Sequence, residues 1–298
     1  MKTYLSLIIL AVAMIFSSCE KNITIPQPAY NGKVSIQSMM ETDSVPVVYF
    51  NRTVPYFDKK VTFNDLVIRN AQINIKSSAG ADSLKLDSVY DRIYCEYDYY
   101  YKGTVPIQSD KIYTLTIKNG TDTYTATAQT NLLAPSVDSI SYTPTFNDIY
   151  GEHEGILVYF KDIAAQTNFY RFEMTRYVDT TTKKASEVIA SPCLGRDSVK
   201  VRDIGRSVYS DEGLSGQQLK MVIEPAYSHK AGTPGLIYVT SFDKNAYDFF
   251  NQLDKQKQSQ FNPFVEPVFL QDGQFGSRAT GYFSAKITSL PVRFVFPE

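Results

Sequence analysis

The strongest constraint in the chain is an alternation that runs through a two-residue turn signal. Tyr113, Leu115 and Ile117 alternate with Thr114 and Thr116, and Tyr124, Ala126 and Ala128 alternate with Thr125 and Thr127. A period of two puts each apolar set on one face of a strand. Between the runs, Asn119-Gly120 supplies residues that tolerate positive φ, as a type I′ turn requires. A turn centred there sets Leu115 opposite Tyr124 and Tyr113 opposite Ala126, with both apolar sets on one face. The segment is therefore a half-buried β-hairpin, and it needs further strands to cover that face.

Those strands are written on either side. Val34-Ser35-Ile36 and Val47–Phe50 are candidates, Ala71, Ile73 and Ile75 alternate with Gln72, Asn74 and Lys76, and Arg92–Tyr100 is an aromatic strand. About seven strands with regular turns predict an immunoglobulin-like or fibronectin-like sandwich over residues 33–132. Aromatic residues make up 13 %, from 22 Tyr and 18 Phe with no Trp, which favours strands further. Leu133-Ala134-Pro135-Ser136 reads as a joint to a second β-rich domain over 137–298. There the strand pattern resumes at Val137–Tyr142, Ile156–Lys161, Phe169–Tyr177, Leu219–Ile223, Leu236–Phe242, Gly281–Ile287 and Val292–Phe296. One amphipathic helix near 243–258 interrupts it. Ala246, Phe249, Phe250 and Leu253 form a single stripe, Ser241 or Asp243 can cap the start, and Asn262-Pro263 marks the outer limit.

The N-terminus reads as an address. Lys2 is followed by an apolar run, Leu5 to Phe16, broken only by Ser6. A bilayer span needs about 20 apolar residues, so this run is a secretory segment. It ends in Phe16-Ser17-Ser18-Cys19, which resembles a bacterial lipobox. In proteins with that signal the Cys thiol takes a diacylglycerol, the chain is cut just before it, and the new amine is usually acylated. Residues 1–18 are then a lipoprotein signal peptide, and 19–32 are the lipidated Cys19 and a tether containing Pro26 and Pro28. Two or more acyl chains anchor stably, at about 0.8 kcal/mol per buried methylene. Cys95 and Cys193 remain. Separate buried thiols are the favoured reading, because the two fall in different predicted domains and no spacing pattern links them; a disulfide closing a loop of about 100 residues is the alternative.

Several features together resemble one family. They are the lipobox start, Tyr113–Ile117, Asp162 with Asn168-Phe169-Tyr170-Arg171-Phe172, the helix followed by Asn262-Pro263-Phe264-Val265-Glu266-Pro267, and Gly281-Tyr282-Phe283-Ser284-Ala285. The chain is similar over nearly its whole mature length to Bacteroidota lipoproteins of uncharacterised function whose genes often lie beside TonB-dependent outer-membrane receptors. The resemblance implies a lipid-anchored outer-membrane protein, on the periplasmic or the cell-surface face, with a TonB-dependent receptor as candidate partner. It implies no catalytic residues.

The residues agree that catalysis is not the expectation. Lys and Arg total 30 against 31 Asp and Glu, a net charge of −1, which excludes nucleic acid as the main partner. His153 in Glu152-His153-Glu154 lacks the second His of a zinc-binding HExxH, since Leu157 stands there. His229 lies in a Gly-Pro loop, Ser215 in Gly213-Leu214-Ser215-Gly216 is not a nucleophile elbow, and both His read as solvated loop residues. No phosphate-binding or dinucleotide glycine pattern and no calcium loop occurs, so no cofactor or metal is expected. The features suited to binding are aromatic. Tyr90 and Tyr94 precede Tyr97, Tyr99, Tyr100 and Tyr101; the last three are consecutive and cannot all face one core. Phe261 and Phe264 flank Asn262-Pro263 as a second candidate. The expectation is a non-catalytic accessory or binding protein. A structural or adhesive surface module is the alternative, and an enzyme of unrecognised type a third reading.

Overall fold

The computed structural model describes residues 32–54, 61–148, 151–164, 166–180, 191–194, 198–205, 207–261, 266 and 268–298. Residues 1–31, which include the expected signal peptide, Cys19 and all but the last residue of the expected tether, lie outside the described residues, as does Phe264. The first half contains β1 (Val34–Glu41), β2 (Val47–Arg52), a single helical turn α1 (Phe63–Leu66), β3 (Gln72–Ser77), β4 (Gly80–Asp91), β5 (Glu96–Lys102), β6 (Ile112–Asn119) and β7 (Asp122–Gln129). Neighbours run in the order β1-β2-β5-β4-β3-β6-β7. β4 changes partner midway: Gly80–Leu84 pairs with β3, and Lys85–Asp91 pairs with β5. Alternate side chains meet in one core that includes Ile36, Phe50, Ile73, Leu84, Tyr101, Leu115 and Ile117. At the entry to β6 the Tyr113 hydroxyl accepts the Gln108 N–H at 2.7 Å, fixing the strand to the loop just before it.

The β6–β7 hairpin forms with the expected face inward but in a different register. Ile117 lies opposite Tyr124, Leu115 opposite Ala126 and Tyr113 opposite Ala128. The turn residues are Gly120 and Thr121, flanked by the pair Asn119 and Asp122. Gly120 has φ +59° and Thr121 is not in the positive-φ region, so Gly takes the first loop position, as in a type II′ turn. A shift of two residues keeps the same face inside, so the hydrophobic pattern alone could not separate the two registers.

In the second half, β8 (Val137–Asp148), β9 (Gly151–Lys161) and β13 (Gln218–Ile223) form a sheet in the order β13-β9-β8. β10 (Phe169–Asp179), β11 (Ser198–Ile204), β12 (Tyr209–Ser210), β14 (Pro234–Phe242), β15 (Ala279–Thr288) and β16 (Val292–Val295) extend the larger sheet. Its order here is β11-β10-β14-β15, with β12 on β10 and β16 on β14. A second core joins Ile156, Val158 and Phe160 of β9 to Tyr170, Phe172, Ile237 and Val239 of β10 and β14.

β15 lies parallel to β1, from Val34 opposite Ala279 to Glu41 opposite Lys286, so one sheet runs through both halves. Gly281 sits opposite Ile36 with φ +120°, and a Cβ there would strike the Ile36 carbonyl. Phe275, Ala279, Phe283 and Ala285 complete the first core.

The helix, α2 (Lys244–Phe261), is capped by Asp243, not Ser241: its Oδ1 accepts the Ala246 N–H at 3.1 Å. Asp243 also accepts the Ala285 N–H at 3.1 Å and the Ser284 hydroxyl, which fastens the helix start to β15. The apolar stripe packs on the sheet, with Tyr247 stacked on Phe169 at 4.4 Å and Ala246 and Phe250 beside Phe242 and Met39. The protein is thus mainly β, in more than one sheet, with one long helix. No helix among the described residues is long and apolar enough to cross a membrane.

Candidate functional site

The exposed aromatic cluster is built by a hairpin that outruns its own core. β4 is 12 residues long, and only Leu84 of β4 and Tyr101 of β5 enter the first core. Beyond them the strands continue as a pair, with Tyr90 opposite Tyr97 and Val89 opposite Asp98. Leu86, Val89, Tyr90, Ile93, Tyr94 and Tyr97 are all exposed, Tyr94 at 63 % and Tyr97 at 53 %. Exposed large apolar side chains are ordinary when scattered; here Leu86, Tyr90 and Tyr97 share one face of the strand pair, Tyr94 lies at the turn against Phe63, and Val89, opposite Asp98, faces the other way.

The tip is held stiffly. Asp91 Oδ1 accepts the N–H groups of Ile93 and Tyr94 at 2.7 and 3.2 Å, closing the turn. Phe63 of α1 packs edge-on against Tyr94, with ring centroids 5.3 Å apart, and its N–H donates to Glu96 at 2.8 Å. Cys95, at φ +60°, is bonded to Cys193 with Cα atoms 5.6 Å apart. This corrects the expectation of two separate thiols. The projecting hairpin reaches the 191–194 turn of the second half, a proximity that sequence spacing does not encode. Ser191 Oγ donates to the Arg92 carbonyl at 2.7 Å, and the Tyr90 hydroxyl lies 3.2 Å from Cys193 Sγ.

The four tyrosines singled out from the sequence have four different environments. Tyr97 is on the surface and meets Tyr90 edge-on at 5.3 Å. Tyr99, half-buried, lies under the Arg69 guanidinium at 4.7 Å. Tyr100 points to the opposite sheet face, where its ring is 5.8 Å from that of Tyr49. Tyr101 is a core residue: it is 2 % exposed, donates to the Ile68 carbonyl at 2.7 Å and accepts the Ala71 N–H at 3.2 Å. Burial pushes its hydroxyl pKa up. Phe261 ends α2, and its side chain lies outside the described residues. Phe63, against Tyr94, and Leu86, on the face of Tyr90 and Tyr97, join them with no sequence signal beyond the length of the strands around them.

The polar motif residues assemble elsewhere. Asp162, Asn168 and Tyr170 come together with Asp211, all buried. Asp162 accepts the Tyr170 hydroxyl and the Gly216 N–H, each at 2.7 Å, and Asp211 accepts the Asn168 backbone and side-chain N–H groups at 2.8 and 2.9 Å. The donors serve the loops around them. Both His residues depart from the solvated-loop expectation. His153 lies in β9 with Nδ1 3.1 Å from Glu224, and His229 Nε2 lies 2.9 Å from Glu154, which also accepts the Tyr142 hydroxyl at 2.6 Å. That hydrogen bond, with burial, pushes Tyr142 up to about 12. Cys193, being disulfide-bonded, offers His229 no thiol. Among the described residues no group of three metal-ligating side chains occurs.

No curated protein matches the chain. A family described as "Domain of unknown function (DUF4249)" matches residues 20–285, which takes in both halves of the sheet, the aromatic hairpin and the helix. On a match of that extent, the chain belongs to the DUF4249 family.

Proposed function

We propose that this protein is a lipoprotein of the outer membrane, held by acylated Cys19, that works without catalysis as the accessory partner of a TonB-dependent receptor. The observation that carries the reading is the β4–β5 tip, an apolar, tyrosine-rich patch on a crosslinked hairpin. Tyrosine gives large contact area at low entropic cost, and a platform already rigid loses little more on binding. The tether, Glu20–Tyr30, would give the anchored domain a reach of about 35–40 Å from the bilayer.

We further read the first half as an immunoglobulin-like sandwich. The strand order β1-β2-β5-β4 followed by β3-β6-β7 corresponds to the ABED and CFG sheets of constant-type domains, and Tyr113 makes the contact of a tyrosine corner. A sandwich of this kind supports a projecting hairpin on a stiff base.

The test is affinity isolation of the full-length chain from detergent-solubilised membranes of its native host. A β-barrel partner in stoichiometric amount is expected. A Tyr90→Ser/Tyr97→Ser variant, confirmed folded, should retain less than about a tenth of it, as the loss of two hot-spot rings implies. Isolation of the wild-type chain alone, or capture unchanged in the variant, would overturn the accessory reading. The mass of the N-terminal peptide reports the anchor, and an unacylated, freely soluble chain would overturn that part. Protease shaving of whole cells decides between the periplasmic and cell-surface faces.

A further inference from the structure

A cleft of about 510 Å³ opens on the sheet face away from the cores. Its floor is made where the two halves share their sheet: Gln37 and Met39 of β1, Tyr49 of β2, Tyr282 and Lys286 of β15, Thr240 of β14 and Arg171 of β10. Phe250 of α2 and Phe242 form an aromatic end. The volume is that of a small-molecule site.

Arg171 is the residue that gives the cleft a chemistry. Its guanidinium carbon lies 4.3 Å from the Phe250 ring centre and 4.9 Å from that of Phe242, so the two rings hold it by cation–π contact. Nε donates to the Ser207 carbonyl at 2.6 Å. Nη1 and Nη2 have no acceptor, and no carboxylate pairs with Arg171, among the described residues. Burial lowers its pKa against the opposing pull of Glu173 and Asp254. The other charges are largely matched to one another. Lys286 pairs with Glu41 at 3.0 Å, Glu41 also takes the Thr288 hydroxyl, and Arg202 lies 3.8 Å from Glu173. Three cations and two carboxylates line the cleft, and Arg171 is the one of the three cations with no carboxylate at ion-pair distance among the described residues. Beside it the Tyr282 hydroxyl has no hydrogen-bond partner among the described residues, while Met39, Val45 and Val47 supply an apolar wall.

We infer that this cleft binds a small organic carboxylate with an apolar body, its head taken by the Arg171 fork and the Tyr282 hydroxyl and its body laid against Phe250, Met39 and Val47. A guanidinium fork matches a carboxylate in two parallel hydrogen bonds, and rings around the fork exclude the water that would screen it. The inference does not rest on the membrane role, because the cleft lies within residues 32–298 and the β4–β5 tip forms no part of its lining.

The test is titration of the purified chain with phenylacetate as probe, followed by calorimetry or by chemical-shift changes, against the neutral phenylacetamide and inorganic phosphate. Saturable binding of phenylacetate is expected, at least tenfold tighter than phenylacetamide and tighter than phosphate. Arg171→Gln should weaken it at least tenfold, and Lys286→Gln less than threefold. If Arg171→Gln does not fold, Tyr282→Phe removes only a hydroxyl and should weaken phenylacetate severalfold while leaving phenylacetamide unchanged. Equal binding of acid and amide, unchanged binding in both the Tyr282 variant and a folded Arg171 variant, or absence of saturable binding would overturn the proposal. Phosphate binding as tightly as phenylacetate would overturn the apolar part of it.

Discussion

Asp162 and Asp211 share a hydrogen bond between their carboxyl groups inside the second half, and two buried carboxylates in contact are stable when they hold one proton between them. Burial raises both, but Asp162 is brought below its ordinary value by donors, from Asp211, the Gly216 N–H and the Tyr170 hydroxyl. Asp211 is raised, by burial first and then by its bond to Asp162. The two signs differ. The contribution of Asp162 is present above its ordinary value of 3.8 and is lost as pH falls through its lower folded value. That of Asp211 is present below 3.8 and is lost as pH rises through its higher folded value. Asp211 should therefore contribute stability that declines as pH rises from 3.8 through its raised folded value, and Asp211→Asn should remove that part of the pH dependence, read as urea midpoints. An unchanged slope would mean that Asp211 is not the proton carrier. The sequence shows Asp162 and Asn168–Phe172 as a motif, yet nothing in it points to Asp211, because the partner arrives from a loop more than 40 positions away. The buried pair Arg176–Asp203, joined at 2.6 Å, was invisible for the same reason: a charge in a strand reads as a solvent-facing residue until its partner is placed beside it.

At the scale of elements the local signals carry well. Period-two runs became strands, and the helical stripe became α2, with its start at Lys244 one residue from expectation and its end at Phe261, three residues beyond. The aromatic strand expected at 92–100 formed at 96–102, because Asp91 closes a turn over the residues between. What local pattern does not contain is the choice among equivalent arrangements, and the two-residue register shift of β6–β7 is one case. The β1–β15 pair is another. It depends on Gly281, where the backbone of β15 approaches the Ile36 carbonyl too closely for a Cβ and adopts φ +120°, a conformation that costs a non-glycine residue dearly. Gly281→Ala should cost about 2–4 kcal/mol, since the obstacle is backbone and cannot rotate away. Chemical denaturation would measure it. A loss under about 0.5 kcal/mol would show that the strands separate without penalty.

The whole molecule is set by contacts that join chain ends and chain halves. β1 finds β15 across some 240 positions, and one sheet then carries the cleft on its outer face, so the Arg171 site exists only once that pairing is made. Arg171 and Tyr282 stand in strand motifs and Phe250 in the helical stripe, but nothing local brings the three to one sheet face, which is why the cleft was not legible, whereas Tyr90, Tyr94 and Tyr97 are neighbours within one hairpin. The second long-range tie is Cys95–Cys193, separated by 98 positions. In the chain-entropy model a loop of that length, closed in the unfolded state, stabilises the fold by about 4–5 kcal/mol. It fastens a hairpin that has left the core behind at Leu84 and Tyr101, so the hairpin tip should depend on it more than either core does. A Cys95→Ser/Cys193→Ser variant should therefore lose stability globally by an amount of that order. It should also show a larger rise in amide exchange at residues 86–97 than in β6, β9 or β10. Uniform exchange would place the disulfide's effect in the unfolded chain alone. Selective loss at the tip, together with weakened capture of the proposed barrel partner while Tyr90 and Tyr97 are still present, would show that the tie between the halves is what holds the hairpin tip in place for the binding role proposed for it.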